Sequence, residues 1–252
     1  MGKLICGRVI IFILAVLPLS AAQSDTLFGL YAGAGAWQQD YSGVVDSGTS
    51  MVDLEDDLGL GNDNSMVLYA AMEHGLPLLP NVRGQFLKLD VQGNNILSRT
   101  IDFNGETFSA TEPLGTIIDL TQRDAVLYYQ VIDQAVSFDF GMVVSVMKGS
   151  VEMASQAERS EAKFNEVVPM LFMKMRADIP RTGFWLGAQA QGVTYDGNKV
   201  AEFDAQIGWE SKAGIGFEAG YRAVQIEFNN FDDIDHAEID VQGPYAAINY
   251  HF

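Results

Sequence analysis

Tyr245-Ala246-Ala247-Ile248-Asn249-Tyr250-His251-Phe252 closes the chain. Ala246, Ile248, Tyr250 and Phe252 fall on one face of an extended segment, and Asn249 and His251 fall on the other. Period-two alternation of this kind is the pattern of a strand with one apolar face. Whether that face meets a soluble core or lipid is decided by the rest of the sequence.

At the other end, Lys3 and Arg8 precede the unbroken apolar run Val9 to Leu17, and Pro18-Leu19-Ser20-Ala21-Ala22 supplies small residues for cleavage. The expectation is a secretory signal peptide over residues 1–22 and one domain over 23–252, since the apolar run is far shorter than the roughly 20 residues a helical span needs. Cys6, the only cysteine, precedes the apolar run. The mature chain therefore has no thiol, which excludes a disulfide framework and a thiolate site.

The composition is 48% hydrophobic, yet the net charge is −18. Losing Lys3 and Arg8 leaves 13 basic and 33 acidic residues, about −20. No mature segment approaches 18 consecutive apolar residues, so the apolar groups are spread through the chain. Alternate residues facing lipid, with charges in a lumen and in loops, reconcile both facts. Such a charge repels nucleic acid.

The alternation predicts an all-β, antiparallel transmembrane barrel of about ten strands, eight being the smaller possibility. Strands are expected near 27–41, 64–74, 82–92, 117–132, 136–150, 164–178, 184–195, 199–210, 213–228 and 239–252. The intervening stretches are alternately long and short, as short periplasmic turns and longer outer loops would be. Residues 196–198 are the exception. In the ninth strand Ile215, Phe217, Ala219, Tyr221 and Ala223 are expected to face lipid. In the eighth the lipid set is Ala201, Phe203, Ala205, Ile207 and Trp209. Tyr31, Trp37, Tyr41, Tyr69, Tyr129, Trp209 and Tyr250 are read as interfacial girdles.

Inward parity then assigns a lumenal charge network: Lys88, Lys174, Arg176 and Arg222 against Asp139, Glu202, Asp204 and Glu218. Opposite charges facing across a narrow lumen form a salt-bridged plug. Rings of one sign would instead select ions. The loops are acidic, with Asp53, Glu55, Asp56, Asp57 and Asp63 in the first and Asp232, Asp233, Asp235, Glu238 and Asp240 at the last. Carboxylate clusters are hard ligands for divalent cations, making Asp232, Asp233 and Asp235 weak metal candidates, although solvated loops are the plainer reading. Ser50 is placed to cap a short helical turn near Asp53. No catalytic residue or cofactor is assigned. Of the three histidines, His74 and His251 fall at the near rim, and only His236 lies beside carboxylates that could orient it.

Beyond these readings, the terminal strand resembles the insertion signal of bacterial outer-membrane barrels, through Tyr250 and Phe252. Ala247 and Tyr245 stand where that signal has glycine and a polar residue. Leu30-Tyr31-Ala32-Gly33-Ala34-Gly35-Ala36-Trp37, Glu73-His74-Gly75-Leu76-Pro77-Leu78-Leu79-Pro80-Asn81, Leu127-Tyr128-Tyr129 and Gly220-Tyr221-Arg222 are similar to stretches of an uncharacterised proteobacterial outer-membrane β-barrel family, distantly like the OmpW and OmpA-type barrels. The resemblance implies an outer-membrane location, a monomer surrounded by outer-membrane lipid and lipopolysaccharide, and delivery to the barrel-assembly machinery by the C-terminal strand. It implies fold rather than chemistry. A structural barrel with a plugged or narrow lumen is the leading expectation. A small-solute or hydrophobic-molecule channel of OmpW type is the alternative, and a lipid- or peptide-modifying enzyme is the third.

Overall fold

The computed structural model describes residues 28–46, 50–76, 78–231 and 234–251. The signal peptide, Asp232, Asp233 and Phe252 lie outside the described residues. The strands are β1 (Phe28–Asp46), β2 (Met51–Asp53), β3 (Asn62–His74), β4 (Asn81–Ile96), β5 (Ile101–Phe103), β6 (Glu106–Phe108), β7 (Pro113–Asp133), β8 (Val136–Ala154), β9 (Arg159–Asp178), β10 (Phe184–Tyr195), β11 (Asn198–Glu210), β12 (Ile215–Phe231) and β13 (Ile234–His251). Ten of them form one antiparallel wall in the order β1-β3-β4-β7-β8-β9-β10-β11-β12-β13. Pairing of β13 with β1, from Tyr31 opposite His251 to Asp46 opposite His236, closes it. Closure pairs the barrel strands on both sides over the near half, the condition for a sheet in hydrocarbon. Farther out, residues 159–170 of β9 and 88–96 of β4 pair on one side only.

The connections 75–80, 134–135, 179–183 and 211–214 lie at the end where β1 begins and β13 finishes, here the near end. At the far end two connections are long, 47–61 carrying β2 and 97–112 carrying the β5–β6 hairpin. Of the other three, 155–158 and 196–197 are tight, and the third joins Phe231 to Ile234, which pair with each other. Within the stretches 151–163 and 229–238, expected as loops, residues 151–154, 159–163, 229–231 and 234–238 instead continue β8, β9, β12 and β13. The 20 residues of β9, at about 3.3 Å each and tilted by about 40°, rise on the order of 50 Å, twice an apolar band of about 25 Å.

That extra height explains how polarity is arranged. Over the near half the outer wall is apolar: Val167, Leu171, Met173 and Met175 on β9 are 45–61% exposed, while Lys174 and Arg176 alternate with them on the inside. Farther along the same strand the pattern reverses. Glu161, Lys163 and Asn165 are exposed outside, and Ala162 and Phe164 pack inside. β4 turns from Arg83 and Gln85 to Leu87, Leu89 and Val91 inside, β12 from Arg222 to Val224, Ile226 and Phe228, and β11 from Glu202 to Val200. Strand parity holds through the reversal, the register shift between Gln130 and Ile132 of β7 lying at the near end. What changes is the medium on each side.

The far half of the lumen is consequently a packed apolar core. Leu87, Leu89, Val91, Ile118, Leu120, Val143, Met147, Met170, Val224 and Val241 line it and are at most 5% exposed. Leu54, Leu58 and Leu60 from the first long connection, and Leu97, Ile101, Phe103 and Phe108 around the hairpin, join the same cluster. The turn 54–60 reaches the wall at Gly93, where a Cβ would sit 2.4 Å from the Leu58 carbonyl oxygen. Only glycine permits that approach.

Asp53 organises the turn by accepting hydrogen bonds from the Glu55 and Asp56 N–H groups at 2.9 and 2.8 Å. Its carbonyl accepts from Asp57 and Leu58 N–H. Asp53, rather than Ser50, is therefore the cap. Ser50 instead accepts from the Asp102 N–H at 3.2 Å.

Candidate functional site

Below the apolar core the lumen holds a polar cavity of about 310 Å³. It runs from Arg222, Asp204 and Tyr245 at its inner end to Tyr31, Asp133 and His251 at the near rim. The expected network residues Asp139, Lys174, Arg176, Glu202, Asp204, Glu218 and Arg222 are all on the lumenal wall. Lys88 is the correction. It is exposed on the outer wall of β4, ion-paired with Asp90. It lies beyond the level at which polarity reverses, so the apolar-out rule that placed it inside assigns the wrong face.

The inner end is the most ordered part. Arg222, 5% exposed, donates through Nε and Nη2 to Asp204 Oδ2 at 3.0 and 2.9 Å. Tyr245 donates its hydroxyl to Asp204 Oδ1 at 2.9 Å. The guanidinium also lies 5.7 Å from the Trp37 ring and 5.2 Å from the Tyr245 ring, where ring quadrupoles attract a cation. Trp37 is held in turn by donating to the Gly243 carbonyl at 3.1 Å.

Beside this cluster, Gln122 bridges two carboxylates. Its amide donates to both Asp124 oxygens at 3.1 Å and to Glu202. Gln191 adds a donor to Asp124 at 3.0 Å. Buried carboxylates persist only when hydrogen-bonded or paired, and neutral glutamines supply much of that here.

Toward the rim the lattice continues. Arg83 donates to Gln189 and Gln85 and lies 4.7 Å from the Tyr69 ring. Tyr69 donates to Glu218 at 2.9 Å and Tyr128 to Glu73 at 2.7 Å. Lys174 faces Asp139 at 3.9 Å, and Arg176 meets Asp178 at 2.9 Å and Glu210 at 3.7 Å. Arg176 also stacks 4.5 Å from the Trp185 ring. Two glycines make room for these rings: a Cβ at Gly208 would lie 2.2 Å from Trp185, and one at Gly33 2.3 Å from Tyr69. The rings lie flat on the wall and leave the cavity open.

Trp37, Tyr41 and Tyr69, read as girdle aromatics, are thus lumenal, with Trp37 and Tyr41 buried, and Tyr31 points inward to stack on His251 with ring centroids 4.0 Å apart. Tyr129 and Tyr250 do face outward. Glu210, Gln206, Gln189 and Gln191 face inward as their strand parity predicts, whereas Arg83, Glu73, Asp124, Gln85 and Gln122 were missed by the sequence reading. The signal for them was parity: Arg83 and Gln85, like Tyr69 and Glu73, share a face of their strand.

The other candidates are scattered. His236 Nδ1 is 2.9 Å from Asn229 Oδ1, and His251 Nδ1 is 3.3 Å from Glu210 Oε1. His74 accepts from the Leu76 N–H at 3.3 Å. Asp235 is exposed, and no group of three or more histidine or carboxylate side chains among the described residues is arranged to hold a metal ion. In the first loop Asp57 is taken up by Arg99, at 2.5 Å between Oδ2 and Nη2, and by the Asp53 N–H at 3.0 Å. Burial pushes the Asp57 carboxyl up, but the Arg99 and Asp53 hydrogen bonds and the Arg99 charge hold it below its ordinary value.

No family model matches the chain, and no curated protein matches it. Among solved structures it is similar to Ail, the attachment invasion locus protein of Yersinia pestis, with a TM-score of 0.40, 11% identity and coverage of 90% of this chain and 100% of that one. It is also similar to the outer-membrane protease OmpT from Escherichia coli, with a TM-score of 0.44, 10% identity and coverage of 89% and 96%. The translocator domain of the autotransporter NalP from Neisseria meningitidis gives 0.46 and 12%, covering 89% and 88%.

Proposed function

We propose that this chain is an integral outer-membrane barrel, near end in the periplasm and far end at the cell surface, that serves a structural rather than a transport role. One observation carries the reading: an outward apolar band encircles the near half while a dry apolar core fills the lumen beyond it. A conducting pore needs a continuous wet path lined by groups that can replace water around a solute. The polar cavity has such a lining, but it ends beneath Val224, Leu89 and Val143.

Closure is therefore apolar at the far end, with the opposite-charge lattice beneath it. The OmpW-like channel rests on sequence resemblance alone, and it would require this core to part. Two measurements test the proposal. Cell fractionation should recover a heat-modifiable band in the outer membrane, and recovery from the soluble periplasm would refute the location. Planar-bilayer recordings of the purified protein should show no steady current, and large stable conductance steps would refute the closed lumen. Catalysis is not part of this reading: His236→Ala should leave lipid A mass spectra and surface-protein cleavage unchanged.

A further inference from the structure

The outer wall is not electrically uniform where its apolar band ends. Strand register aligns Lys88 on β4, Thr121 on β7, Lys148 on β8 and Asn165 on β9 in one row, each opposite the next. All four point outward, and all can donate hydrogen bonds. Arg123 sits one step toward the membrane, opposite Phe86 and Val146, and Lys163 one step away from it, opposite Ser150. Lys88 and Lys148 are two strand spacings apart, about 10 Å. Arg123 lies diagonally between them at about 7–8 Å from Lys148.

Lys88 is paired with Asp90 and Lys163 with Glu161, whereas Arg123 and Lys148 form no ion pair among the described residues. Directly below are Leu127 and Val144, 50% and 47% exposed. The opposite wall at this level carries Gln38, Asp40, Asp240 and Gln242 on β1 and β13, exposed or half-exposed. Asp90 and Asp119 lie one step farther out on the same face. In a chain of net charge −18, the basic side chains thus gather at the margin of the apolar band and the acidic ones beyond it, an arrangement that suits an anionic partner held at that depth.

We propose that this row binds the phosphate groups of lipid A in the outer leaflet, with the acyl chains lying on the apolar wall beneath. The inference rests on the proposed outer-membrane placement. Phosphate oxygens accept from both guanidinium and ammonium groups, and each basic side chain at an anionic lipid surface is worth about fivefold in binding.

The test uses the folded full-length protein in detergent, with Lys88→Ser, Arg123→Ser and Lys148→Ser combined and also made singly. These side chains are exposed, so the heat-modifiable band should persist. If the triple variant does not fold, the single variants should show graded losses. Binding of lipopolysaccharide carrying bis-phosphorylated lipid A, followed by native mass spectrometry, should fall more than tenfold in the triple variant. Lys199→Ser on another wall should bind normally. Lipid A stripped of its phosphates should bind the unmodified protein as weakly as intact lipid A binds the triple variant, and millimolar inorganic phosphate should not compete. Equal binding by the triple variant and the unmodified protein would overturn the proposal, and efficient competition by inorganic phosphate would make this a free-anion site. Failure here with normal outer-membrane fractionation would leave the proposed placement intact.

Discussion

Arg222 enters the lumen between two aromatic rings and ends on a carboxylate, and its position explains why the inner end of the cavity is so ordered. Asp204 and Arg222 are each about 6% exposed at their side chains. Removing one partner strands a buried charge, which costs about 3–5 kcal/mol. Arg222→Met should accordingly lower stability to urea in lipid vesicles by that amount, and adding Asp204→Asn should restore much of it.

At the far end, Asp57 gives a residue-level pH dependence. Its folded carboxyl titrates below the unfolded one. The stabilisation is therefore present above the ordinary carboxylate pKa of about 4 and is lost as pH falls through the folded value. Exchange protection of the Asp57 and Leu58 amides, corrected for intrinsic rate, should drop as pH falls below the ordinary carboxylate range, and Arg99→Met should produce the same loss at pH 7. At this scale legibility was uneven. Asp204 and Arg222 were readable because apolar neighbours on both sides fixed their parity. Trp37 and Tyr69 were not, because a ring over a lumenal glycine has the same sequence signature as one at a membrane interface.

Each of the ten barrel strands was legible, and the near ends fell within two residues of their positions, since the apolar-out alternation is strongest there. Most far ends were cut short, those of β10 and β11 excepted. β1 continues to Asp46, β8 to Ala154, β9 starts at Arg159 and β13 at Ile234, several residues past where the pattern seemed to stop. It had not stopped; it had changed sign, because outside the band water replaces lipid on the outer face and apolar packing replaces polar groups on the inner one. Lys88 was misassigned for the same reason.

The reversal makes a paired prediction on one face of β9. Leu171→Arg lies in the apolar band and should cost about 2–4 kcal/mol. Asn165→Arg, six residues along the same face, should change stability by less than about 0.5 kcal/mol. Urea titrations of the two variants in vesicles would check it, and equal losses would mean the band extends past Asn165.

Taken as a whole, the barrel is a wet half and a dry half stacked on one continuous wall. If the dry half is what blocks solutes, charge placed in it should disturb closure, whereas charge in the wet half should not. Val224→Asp combined with Leu89→Asp should turn a silent protein into one with detectable current in planar bilayers, while Gln206→Asp should remain silent. A silent double variant that still folds would show that the loops over 54–60 and 97–112 suffice as the seal.

The vestibule opens toward one end of the barrel only. Solution from the near side reaches as far as Asp204 and Arg222, and Leu89, Val143 and Val224 bar it from the other side. Polar solutes reach Asp139, Glu210 and Glu218 from the near end, and the packed apolar residues separate these side chains from the far end. On one continuous wall, a single end of this molecule gives access to its polar interior.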